Sequence, residues 1–109
     1  MFIDAPWLDN APVEVKWRVD VDFTGALDFP YPTIIVQNAE RIEGANGKPP
    51  QNAYAYVIVG SSSRCGAIIF GRSIDLWRKE IKIDRRKRHI RRAFYVAPLS
   101  CATWIDLPA

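Results

Sequence analysis

Nine of the fifteen residues in the segment 78–92 are basic: Arg78, Lys79, Lys82, Arg85, Arg86, Lys87, Arg88, Arg91 and Arg92. Only Glu80 and Asp84 oppose them. Six guanidinium groups supply planar, forked donors and three ammonium groups supply point charges, which is the side-chain chemistry that binds phosphate. Displacing condensed counterions from a nucleic acid would drive such binding. Aromatic residues lie close by in sequence: Trp77 precedes the run, Phe94 and Tyr95 follow it, and Tyr54 and Tyr56 belong to a strand that can neighbour it. Bases stack on such rings beside a groove that tracks the backbone. The expected ligand is therefore nucleic acid, DNA or RNA, with the nine basic residues, Trp77 and Tyr95 as its contacts. The same patch also suits an acidic protein surface, which would make the chain an interaction module or an inhibitor. A third reading is a solvated sheet edge whose charge discourages aggregation.

Other constellations are less specific. Two Glu-x-Lys triplets, Glu14-Val15-Lys16 and Glu80-Ile81-Lys82, would place a carboxylate and an ammonium on one face of a strand. With Asp75 added to the second triplet, this is the donor set of a Mg²⁺-dependent nuclease. The triplet arises often by chance on amphipathic strands, and cross-strand charge pairing is the commoner role. His89 is the only histidine, and positive neighbours disfavour its protonation, so a Ser-His or Cys-His device is not expected. The stretch 60–66, Gly-Ser-Ser-Ser-Arg-Cys-Gly, lacks the Gly-Lys-Ser/Thr ending of a nucleotide-binding loop and reads as a hairpin connection. Residues 85–88, Arg-Arg-Lys-Arg, match nuclear-import and basic-cleavage patterns that are frequent by chance. Cys65 and Cys101 have no C-x-x-C spacing and read as two buried thiols, or as one bridge if their strands are neighbours. No metal, cofactor or catalytic activity is expected.

The charge is unevenly distributed. Residues 1–63 carry four basic groups against eight acidic ones, and residues 64–109 carry eleven against four, for a net +3. Such polarity steers encounters with a charged partner and allows head-to-tail self-association. A chain of 109 residues with 49% hydrophobic content suits a single folded domain, 1–109, with residues 1–12 as an N-terminal arm. Its apolar runs fall far short of the roughly 20 residues that cross a bilayer, and its start lacks the pattern of a secretion signal, so a cytoplasmic location is expected.

The elements that must position the basic run are mostly strands. Apolar and charged residues alternate without a break over 13–23, which predicts one strand with a buried and a wet face. Pro30 and Pro32 interrupt it. A second strand is expected from Thr33, extending through Ala39, Arg41 and Glu43, then turn residues over 44–50, a third strand over 53–59 and a fourth over 64–70. Beyond Gly71, a long helix over about 73–89 would scatter Ile74, Trp77 and Ile81 to one side and Leu76, Ile83 and Ile90 to the other. Strands around 81–83 and 90–96, with a short helical turn near 73–80, fit better, and 103–107 supplies a last strand. The sum is a small, mainly β, antiparallel barrel or sandwich of five to seven strands. The alternative is an α+β fold with that longer helix.

Overall fold

The computed structural model describes residues 12–45, 47–84 and 90–108, Asp84 by its backbone alone. The chain forms β1 (Val13–Trp17), β2 (Thr33–Asn38), α1 (Ala39–Glu43), β3 (Ala55–Val59), β4 (Cys65–Phe70), a 3₁₀ turn (Gly71–Leu76), β5 (Arg78–Asp84), β6 (Ile90–Pro98), a second 3₁₀ turn (Leu99–Cys101) and β7 (Ala102–Asp106). A four-stranded sheet in the order β1-β3-β4-β7 faces a three-stranded sheet in the order β2-β6-β5. The result is a mainly β sandwich that does not close into a barrel. Pairing is antiparallel except between β1 and β3, which run parallel.

Period-two alternation explains where the core sits. Tyr56 and Ile58 of β3 and Cys65, Ala67 and Ile69 of β4 face the second sheet, where they meet Ile34, Val36 and Ala97. The alternate residues Ala55, Val57, Val59 and Ile68 form a second buried cluster with Val13, Val15, Phe70, Ile105 and Leu107. β3 is therefore buried on both faces, as its unbroken apolar run implies. At the seam between the sheets, the Gln37 amide donates to Glu14 at 2.6 Å and accepts from Lys16 at 3.1 Å, while Arg41 pairs with the other Glu14 oxygen at 2.8 Å. Gln37 is buried, and these bonds satisfy its amide while tying β1 to β2.

Three expectations need correction. The alternating segment 13–23 is a strand only to Trp17: the amide of Arg18 still reaches Val59, then the chain turns, and Val19 is 86% exposed. Val21 and Phe23 nevertheless enter the core, so burial on that period-two set fails at Trp17 and Val19 and resumes in the loop. Residues 39–43 are a helix rather than a continuation of β2. Asn38 caps it by accepting from the Glu40 amide at 2.8 Å, and Ala39 and Ile42, three apart, are its buried pair. The helical turn expected near 73–80 is a 3₁₀ turn that ends at Leu76, with β5 already begun at Arg78, and the alternative long helix over 73–89 is absent among the described residues.

Candidate nucleic-acid interface

β5 and β6 form a ribbon in strict register, from Arg78 opposite Val96 to Asp84 opposite Ile90. Its root is built by aromatic packing. Trp77, with 7% of its surface exposed, donates from its indole nitrogen to Ser73 Oγ at 2.9 Å and stands edge-on to Tyr56 at 6.0 Å and tilted to Tyr95 at 6.3 Å. The Tyr95 hydroxyl donates to Glu43 Oε2 at 2.6 Å, and Lys79 Nζ reaches the same oxygen at 2.6 Å. Those two donors, Lys79 first, hold the Glu43 carboxyl below the usual carboxylate range. Glu43 in turn raises the Lys79 and Tyr95 pKa values.

Beyond the root, the ribbon loses its cover. Side chains on the two faces alternate, with Lys79, Ile81, Ile83, Arg91, Ala93 and Tyr95 on one and Arg78, Glu80, Lys82, Arg92 and Phe94 on the other. Ile81 and Ile83 of the first face are 72% and 56% exposed, and Ile90 on the opposite face is 52% exposed. Exposed at its far end, the ribbon leaves the buried clusters behind, and residues 85–89 lie between its strands in sequence. Arg85, Arg86, Lys87, Arg88 and His89 themselves lie outside the described residues.

The structure separates the basic residues into two groups. Arg78 and Lys82 both bind Glu80, whose carboxyl is kept below its ordinary range chiefly by Arg78, and Lys79 is held by Glu43. Arg91 is exposed near the far end of the stem, and Arg92 stands opposite Lys82 in the register. Arg78, Lys79 and Lys82 thus have carboxylate partners in Glu80 and Glu43 at the root of the ribbon.

The expected stacking platform is not assembled. Trp77 and Tyr56 are core residues. Tyr95 is half-buried with its hydroxyl engaged, and the exposed Tyr54 packs edge-on against Phe70 of the other sheet at 5.7 Å. Sequence proximity to the basic run had no bearing on exposure, because Trp77 sits where the chain crosses from one sheet to the other and must be buried there. The sequence reading also missed Glu43, whose only signal is a lone carboxylate at the end of a segment read as a strand.

The Glu-x-Lys triplets make ordinary charge pairs. Glu14 is shared among Lys16, Gln37 and Arg41, and Glu80 lies between Arg78 and Lys82. Among the described residues no three His, Cys, Asp or Glu side chains gather as a metal site. Cys65 and Cys101 are free. β4 and β7 are neighbours, but Cys65 pairs with Asp106 at one end while Cys101 lies beyond the Ile69–Ala102 rung at the other, so more than four rungs, upwards of about 14 Å, separate them. No described helix is long and apolar enough to cross a membrane.

No family model, curated protein or solved structure matches this chain. The ribbon must therefore be interpreted from its own shape and charge.

Proposed function

We propose that the protein binds nucleic acid through the β5–β6 ribbon, with Arg91 and the connecting residues Arg85, Arg86, Lys87 and Arg88 contacting the phosphate backbone. The observation that carries this reading is a two-stranded ribbon that exposes Arg91, Ile81, Ile83 and Ile90 and is continuous in sequence with the basic stretch 85–88. A two-stranded ribbon fits the major groove of duplex DNA, which is about 12 Å wide. With Trp77 and Tyr56 buried, base stacking has no part, and contact with duplex backbone is favoured over a single-strand platform. Binding of this kind is sequence-tolerant and weakens steeply with salt.

Fluorescence anisotropy with labelled duplex and single-stranded DNA and RNA, titrated across salt concentrations, provides the test. The expected result is duplex binding at low salt, with each phosphate contact adding about 0.9 to the slope of log affinity against log salt. Replacing Arg85, Arg86 and Arg88 with Ala should reduce that slope by roughly two to three units. Tyr95→Phe should leave affinity unchanged. An absence of binding at low salt, or binding insensitive to the triple substitution, would reject the reading.

A further inference from the structure

The ribbon carries more than charge: Ile81 and Ile83 sit in the open on the face they share with Arg91 and Ala93. Large apolar side chains exposed side by side mark a contact surface. The opposite end of the molecule presents a counterpart. β6 runs away from the ribbon end to Pro98, which pairs with Thr33, and the loop 18–32 leads directly into Thr33. The other sheet agrees, since Val59 and Cys65 lie at the loop end and Ala55 and Phe70 at the ribbon end. That loop exposes Leu27 completely, Val19 at 86% and Tyr31 at 49%. It also carries Asp20, Asp22 and Asp28, with Asp106 at the adjacent end of β7. Arg18, the one cation in the sequence 18–32, is held by Asp20 at 3.1 Å.

We infer that the chain associates with itself head to tail, the Ile81-Ile83-Arg91 face of one copy docking on the acidic, apolar loop 18–32 of the next. Each pole combines exposed aliphatic side chains with a charge opposite to that of the other, and the two poles lie at opposite ends of one molecule. Neither pole is complementary to itself: two ribbons or two loops would bring like charges together. The contact is therefore heterologous, and copies joined this way form open rows, or rings if the rotation closes. It shares Arg91 with the proposed nucleic-acid contact but is argued from Ile81, Ile83 and the loop 18–32, so it can hold whether or not the ribbon binds nucleic acid.

Sedimentation velocity on the full, nuclease-treated chain over a concentration series tests the inference. The wild type should grow in average mass with concentration and shrink as salt is raised. A ribbon variant, I81S with I83S, and a loop variant, V19S with L27S, should each stay monomeric at concentrations where the wild type associates. All four residues are exposed, so circular dichroism should show both variants folded. The decisive sample is an equimolar mixture of the two variants. Each keeps one competent pole, so the mixture should form a one-to-one dimer and nothing larger. A wild type that is monomeric throughout, a mixture that stays monomeric, or either variant associating alone, as edge-to-edge pairing of β5 would allow, overturns the inference. Anisotropy with duplex DNA at dilute protein separates the two ideas, because the loop variant should bind like the wild type.

Discussion

Glu43, Asp28 and Tyr56 show how single polar groups hold this sandwich together at places where no ladder reaches. Asp28 closes the loop before β2 by accepting from the Thr24 amide at 2.9 Å, the Thr24 hydroxyl at 2.9 Å and the Gly25 amide at 3.0 Å. These bonds, the Thr24 amide foremost, hold its carboxyl below the ordinary range. A carboxyl whose folded pKa is depressed stabilises the fold fully above the unfolded value, and loses that contribution as pH falls through the folded one. Asp28→Asn should therefore melt at lower temperature than the wild type at pH 7, and the gap should close below about pH 4. Thermal melts at both pH values check this, and a gap that persists in acid would contradict it. The buried Tyr56 hydroxyl accepts from the Ala53 amide and donates to Asn52 Oδ1, both at 2.9 Å. Tyr56→Phe removes both bonds and should cost about 1–2 kcal/mol in urea unfolding.

Among the elements, the crossing from β4 to β5 is the tightest. Gly71 approaches the third strand's entry so closely that an added Cβ would lie 2.0 Å from the Ala53 carbonyl oxygen. Backbone stands in the way, so no side chain can yield. Gly71→Ala should destabilise by several kcal/mol, at the upper end of single substitutions, measured by chemical denaturation. A shift below about 1 kcal/mol would show that this crossing is looser than the geometry implies. This turn also explains why sequence periodicity was informative for β5 and silent for Trp77. Ile81 and Ile83 alternate because they lie on a strand, but they are exposed because that strand has left the sandwich, and alternation reports strand geometry rather than cover. The segment 39–43 misleads for a related reason: Ala39, Arg41 and Glu43 fit period two, whereas the buried pair Ala39 and Ile42 fits one helical turn, and five residues are too few to decide between them.

The molecule as a whole is a small sandwich with a cationic arm at one end and an acidic loop at the other. The core is complete without the outer stem, since Ile81, Ile83 and Ile90 belong to neither buried cluster. Replacing residues 83–91 with Asn-Gly, the dipeptide that best closes a short hairpin, should leave the melting temperature within about 4–8 °C of the wild type. The same change should abolish duplex binding in the anisotropy assay. If the shortened chain unfolded instead, the arm would have to contribute to the core. Retained duplex binding would place the interface elsewhere on the molecule.

The linear pattern of side chains was sufficient for β content, for strands at β3 and β4, for strands around 81–83 and 90–96 in place of a long helix, and for the electrical asymmetry. All of these follow from local alternation, turn residues and charge order, which a chain carries before it folds. The partnering of surfaces does not follow from them. Folding brought Glu43 to Lys79 and Tyr95, took Trp77 into the core and left Ile81 and Ile83 outside it. Which strand covers which face depends on contacts between residues far apart in the chain, and such a contact is what brings Lys79 to Glu43.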